Sequence, residues 1–215
     1  MSLLTSRDFK YLWVYLLLFN LIWFLYELSF GQLFRSEFPI LSAVTKVIVW
    51  ICPVMGYIRF VNGLNPFVYL KINGNGLRGI RLVIIVCMIM GGCFWIKVNF
   101  FGTGAFIFGL GLHKWLNVVL LAGLTEEIVF RGFILQKMKE YMNFHKANVL
   151  TALLFVSIHF GIWYANGLTA SHFLSSAIQV FFIGLVLGYL FKRSNSLWTV
   201  IIVHSVYNMG ILISG

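Results

Sequence analysis

The sequence predicts an all-α polytopic membrane protein of about seven transmembrane helices. Three observations carry that prediction: a deficit of charge, a set of apolar windows of spanning length, and an uneven placement of basic residues. Sixty per cent of the 215 residues are hydrophobic and 10% are charged. A soluble domain carries about 25% charged residues, so a globular core does not account for the shortfall. A helix needs about 20 apolar residues to cross the hydrocarbon of a bilayer. Seven windows reach that length, near 11–30, 40–60, 82–101, 115–135, 147–164, 173–191 and 197–213.

The first window follows Arg7 and Lys10 with no small-residue cleavage site, so it reads as a retained helix. Between the second and third lies the longest polar stretch, Val61 to Gly79. Within it Gly74, Gly76 and Gly79 satisfy G-x-G-x-x-G. That fingerprint needs a preceding strand and a βαβ unit, whereas here a transmembrane helix follows within a few residues. The stretch reads as a loop. Thr103 to Leu112 is apolar but too short to span, which predicts an interfacial or re-entrant segment. The chain therefore divides into N-terminal helices over 1–114 and a four-span core over 115–213, with no separate soluble domain. In the sixth window Gly184 and Gly188 stand four apart and permit close helix approach. Cys52, Cys87 and Cys93 fall inside apolar spans without C-x-x-C spacing and read as small packing residues.

The formal net charge of +10 raises the question of nucleic acid. With the N-terminus inside, the inner loops hold Arg7, Lys10, Arg59, Lys71, Arg78, Arg81, Lys137, Lys139, Lys146, Lys192 and Arg193. The outer side receives Arg35, Lys97 and Lys114, with Lys46 if it snorkels outward. Short loops this asymmetric set orientation, so the N-terminus is expected in the cytoplasm and the C-terminus outside. The charge is a topology signal and gives no nucleic-acid footprint.

Acidic residues number six, and two of them, Glu126 and Glu127, sit together in the middle of the fourth window. A carboxylate at bilayer depth costs at least about 2.5 kcal/mol on insertion scales, so it faces a protein interior or a wet cavity. Glu127 and Arg131 are four apart with the glutamate first, the favourable order for a helical ion pair. Glu126 points about 100° away and lacks that local partner, leaving it free to bind water and accept a proton. His159 lies in the fifth window, and His204 and Asn208 lie four apart in the seventh. A lone membrane histidine is more often a satisfied core residue, and a lone asparagine can be interhelical glue. Together the three helices bring a carboxylate, two imidazoles and an amide to similar depth. Those are the parts of water-driven amide hydrolysis: a base, a water-holding imidazole and oxyanion donors. The same set also suits transport or a structural role. His113, His145 and His172 lie near span ends and are assigned nothing.

The motifs Glu126-Glu127-x-x-x-Arg131, Phe155-x-x-x-His159 and His204-x-x-x-Asn208 resemble those of the CPBP family, also called Abi, of CAAX-processing and bacteriocin-processing proteases. The text around Phe182 to Tyr189 and Ser196 to Trp198 is similar too. The likeness covers roughly Trp115 to Gly210, while the first 100 residues add only a hydrophobic frame. It implies helices packed around an intramembrane catalytic cavity, and an intramembrane endopeptidase in which Glu126 activates water with His159, His204 and Asn208 form the oxyanion site, and Glu127 and Arg131 support the helix. It implies no obligatory cofactor. A zinc ion on two histidines and a carboxylate is the alternative, although no H-E-x-x-H occurs. Expected partners are the lipid bilayer and a peptide or membrane-protein substrate, in peptide maturation, CAAX-type processing or bacteriocin immunity. The Ile-, Phe- and Lys-rich composition suits a low-GC bacterium. The competing classes are a proton-coupled transporter, for which inverted repeats and broken helices are expected and not seen in the sequence, and a non-catalytic immunity protein.

Overall fold

A computed structural model describes residues 6–72, 76–101 and 105–214, and among these the chain is helical with no strand. Seven helical runs follow in order: α1 over 6–37, α2 over Pro39–Val61, α3 over Gly76–Phe100, α4 over 112–141, α5 over Phe144–Ala165, α6 over Ala170–Ser194 and α7 over Leu197–Ile213. Among the described residues, five helices are long and apolar enough to cross a membrane, and α7 is a shorter apolar helix of 17 residues. The remaining predicted span, α4, carries Glu126, Glu127 and Arg131 at its centre. It is wrapped by the others, and every residue from Thr125 to Leu135 is buried. On the lipid side, Leu17, Ile84, Met88 and Leu174 each lie half or more exposed. A soluble protein rarely shows so much contiguous apolar surface, and a membrane helix must.

Several boundaries differ from expectation. The first helix runs on to Glu37, with a π-helical turn at Glu27–Gly31. Further π-helical turns flank the carboxylate pair at Lys114–Leu120 and Ile128–Ile134. Such widened turns are frequent at functional sites, and α2 carries two more, at Val47–Ile51 and Tyr57–Val61. The fifth helix tightens for one turn at Ile158 and His159, between segments Phe144–Ser157 and Phe160–Ala165, with both residues still in the right-handed helical region and His159 N–H donating to Val156 O at 3.0 Å. Gly74, Thr103 and Gly104 lie outside the described residues. Gly76 opens α3 and no strand precedes it among the described residues, so the loop reading of the glycine fingerprint holds. That loop contains one helical turn, Pro66–Tyr69, capped by Asn65 Oδ1 accepting from the Phe67 and Val68 N–H groups. The described part of the 103–112 stretch, from Ala105 to Gly111, has no regular structure, and Ile107 N–H donates to Ile213 O at 2.8 Å. Cys52 and Cys93 are exposed on the surface of the bundle, so they do not pack the core as expected.

Two close helix approaches bring the polar residues together. A Cβ at Gly184 would lie 3.2 Å from Ala152 Cβ, and one at Gly188 would strike the Asn148 amide, so α6 presses against α5. Asn148 Nδ2 donates to Leu185 O at 3.0 Å across that seam. A Cβ at Gly123 would lie 3.2 Å from Ile201 O and collide with Ser205, so α4 and α7 meet one turn before Glu126. Around these seams runs an aromatic core. Phe19 packs on Trp50 at 5.0 Å between centroids, and Phe130 on Phe155 at 5.0 Å, both edge-on as aromatic quadrupoles prefer.

Candidate active site

A cavity of about 200 Å³ opens inside the bundle, and Glu126, His159, His204 and Asn208 all line it. The four predicted residues from α4, α5 and α7 therefore share one space. Glu126 Oε2 lies 3.8 Å from His204 Nε2, and its side chain is 9% exposed. Glu126 and His159 enter the cavity from different helices and meet only through the space they both line.

Glu127 turns the other way and is fully buried. Its Oε1 takes hydrogen bonds from Arg131 Nη1 at 2.6 Å and from His204 Nδ1 at 2.7 Å. The Arg131 pair is the one expected from the spacing. The His204 contact was not expected, and it makes Glu127 an orienting group for an imidazole as well as a partner for the arginine. Arg131 Nη2 donates to Gly184 O at 3.0 Å, which the close α6 approach makes reachable. The guanidinium also lies over the Phe155 ring at 4.5 Å, and that ring meets both His159 and His204 edge-on. Phe155 thus fixes three polar side chains at once, which accounts physically for an aromatic residue one turn before His159.

Hydrogen-bond chemistry assigns the imidazole nitrogens. His159 Nδ1 lies 2.8 Å from Phe155 O, and a carbonyl only accepts, so Nδ1 carries the hydrogen and Nε2 keeps the lone pair. His204 Nδ1 faces a carboxylate, so it donates, and Nε2 is the nitrogen toward Glu126. Asn208 Nδ2 donates to Val118 O at 2.9 Å. One N–H of that amide therefore ties α7 to α4, as glue would, and its second N–H and its oxygen remain for the cavity.

The structure adds residues that the sequence reading missed. Lys46 does not snorkel outward. Its Nζ lies 3.7 Å from Glu126 Oε1 and within 6 Å of the Trp23 and Trp50 rings, at 5.9 and 5.7 Å. Glu126 lacks a partner on its own helix but has a cation from α2. Farther out, Glu27 pairs with Arg35, and both line the cavity with His113. His113, assigned nothing from sequence, accepts from Asn117 Nδ2 at 3.1 Å, and the same amide nitrogen donates to Pro39 O. Burial, then the positive charges of Arg35, Lys46 and Lys114, hold the His113 imidazole below its ordinary value. A signal for Glu27 was present: it is one of only six acids and falls inside the first apolar window, the same argument that singled out Glu126. His145 and His172 are exposed and take no part.

As to a metal, no three His, Cys, Asp or Glu side chains come together as ligands among the described residues. The Lys46 ammonium stands beside Glu126 where a divalent ion would need that carboxylate, and His204 Nδ1 is taken by Glu127. The donor set fits an ion poorly.

Fold and site together define a class: an all-α, multi-pass membrane protein holding a carboxylate, two imidazoles and an amide in a buried cavity. Residues 108–210 match the family described as Type II CAAX prenyl endopeptidase Rce1-like. The matched stretch contains all seven motif residues. No curated protein and no solved structure matches the chain. The family is one of membrane-embedded proteases, which gives the cavity a peptidase context.

Proposed function

We propose that the protein is an intramembrane endopeptidase that hydrolyses a peptide bond by glutamate-activated water, without a metal. The observation that carries the reading is the convergence of Glu126, His159, His204 and Asn208 on one cavity inside a region that matches the CAAX protease family. Glu126 takes a proton from water that also donates to His159 Nε2. The hydroxide adds to the amide carbon, and the oxyanion receives hydrogen bonds from His204 Nε2–H and the free Asn208 N–H. Donation from Nε2 while Nδ1 also donates calls for a doubly protonated ring, and the buried Glu127 carboxylate supplies its counter-charge. The proton on Glu126 then passes to the leaving nitrogen as the C–N bond breaks. In this reading Glu127 and Arg131 position His204 and do not touch substrate.

The substrate is a peptide or a membrane-associated protein, in peptide maturation, CAAX-type processing or bacteriocin immunity, and the chain sits in a bacterial cell membrane with its N-terminus inside. A proton-coupled transporter is the competing reading, since intramembrane carboxylates and histidines also mark proton pathways. Incubating purified protein with a peptide library, wild type against Glu126→Gln, separates the readings. Cleavage by the wild type that disappears in Glu126→Gln is the expected result. No cleavage product from either protein would sink the peptidase reading.

A further inference from the structure

The residues lining the cavity all lie between the middle of the bundle and one of its two ends. Glu27 and Arg35 are in the last turns of α1, Ser42 is in the first turn of α2, His113 opens α4, and Ile162 is in the last segment of α5. Consecutive antiparallel helices bring the last turns of α1 and α5 and the first turns of α2 and α4 to the same end. Toward the other end the cavity is sealed. From Glu127 to Leu135 every residue of α4 is buried, through more than two turns.

The sealed end is also the basic end. Lys71, Lys139, Lys192 and Arg193 gather there, from the 61–79 loop, the end of α4 and the end of α6. Lys71 Nζ donates to Asn195 Oδ1, and Leu197 N–H donates to Lys71 O, so the loop is pinned beneath the α6–α7 corner. Burial, then repulsion from Lys71 and Lys192, lowers the Lys139 ammonium below its ordinary value, as expected for three cations crowded on one surface. At the open end Arg35 is paired with Glu27 and Lys46 with Glu126, so two of the cations there have carboxylate partners.

Short loops rich in lysine and arginine stay on the cytoplasmic side. We infer that the cavity opens on the non-cytoplasmic face of the membrane and takes its substrate from there, as a polar peptide segment arriving at the outer surface. The rim argues for the class of substrate. Glu27, Arg35, Ser42 and His113 offer donors and acceptors suited to a peptide main chain, and Lys46 adds a cation beside the reacting carboxylate. The substrate half of this inference rests on the peptidase reading, whereas the side on which the cavity opens does not.

Cysteine accessibility tests it without any need for cleavage. In full-length protein with Cys52, Cys87 and Cys93 replaced by alanine, single variants His113→Cys, Ile162→Cys, Asn166→Cys and Lys146→Cys are treated in intact cells with a membrane-impermeant anionic maleimide. His113 and Ile162 report the cavity, Asn166 the exposed turn at the same end, and Lys146 the exposed basic end. Ile162→Cys repeats the cavity measurement where His113→Cys folds poorly. Labelling of the first three in intact cells, with Lys146→Cys labelled only after permeabilisation, is the expected outcome. The reverse pattern overturns the inference. So does labelling at Asn166→Cys with neither cavity variant reacting before or after permeabilisation, because the cavity would then not open at that end. A chain that labels as expected but cleaves nothing loses the peptidase reading and keeps its sidedness; one that cleaves but labels in reverse keeps the chemistry and loses the outward opening.

Discussion

Two adjacent glutamates should fail in opposite ways when each loses its charge. Glu127 is 0% exposed, and its Oε1 is shared by Arg131 and His204 at 2.6 and 2.7 Å. Removing one partner of a buried, hydrogen-bonded ion pair costs about 3–5 kcal/mol, because the other charge is left in low dielectric. Glu127→Gln keeps an oxygen for Arg131, and Gly184 O still accepts from that guanidinium, so the lower end, about 3 kcal/mol, applies. For a chain of this size each kcal/mol moves the melting temperature by about 2–4 °C, which gives a fall of roughly 6–12 °C. Glu126 stands 3.7 Å from Lys46 and 3.8 Å from His204, beyond hydrogen-bond distance and beside a cavity. Glu126→Gln therefore costs about 1 kcal/mol or less, a shift of at most about 4 °C. Its chemistry is the larger loss, because a missing general base lowers turnover by roughly 10²–10⁴-fold. Both variants are measured by thermal unfolding in one detergent and by single-turnover cleavage of a peptide that the wild type cuts. Glu127→Gln should melt early and cut poorly even where folded, since His204 has lost its orienting carboxylate. Should Glu126→Gln unfold the protein while Glu127→Gln melts like wild type and is merely silent, the two roles are reversed.

His159→Ala and His204→Ala should each abolish cleavage in folded protein, and normal turnover by His159→Ala would make that histidine structural. Asn208→Ala removes one oxyanion donor, worth about 10²–10³ in rate, and also the bond to Val118 O, so its melting temperature should fall slightly as its rate falls. Cleavage should survive strong chelators, and inactivation reversed by added zinc would replace the glutamate mechanism with a metal-dependent one. At the rim, His113 is held below its ordinary imidazole value, so its contribution to stability is complete above about pH 6.5 and is lost as pH falls below it. Melting temperature should thus decline on acidification, with protonation also ending the bond from Asn117, and His113→Gln should flatten that decline; an unchanged slope would place its cause elsewhere.

The membrane class was legible in the amino-acid sequence alone, because lipid demands long apolar helices and tolerates few charges whatever the packing. The site residues were legible for the same reason. Glu126, His159, His204 and Asn208 stand out because a polar group in a spanning segment is costly, and the Glu127–Arg131 pair follows from a four-residue helical offset. What sequence spacing did not carry is contact between helices, which depends on how closely α4 approaches α7 and α5 approaches α6. Only tertiary packing at Gly123 brought His204 onto Glu127, so that a residue read as helix support became a positioning group. Lys46 was counted as a possible outward cation because charge counting along one helix is blind to a carboxylate on another. The N-terminal helices looked like a hydrophobic frame, yet Glu27, Arg35 and Lys46 form much of the cavity's charged wall. The tightened turn of α5 and the widened turns of α4 likewise escaped the apolar pattern. Hydrophobic periodicity reports which residues meet lipid, and backbone hydrogen-bond register inside a buried helix is set by neighbours far away in sequence.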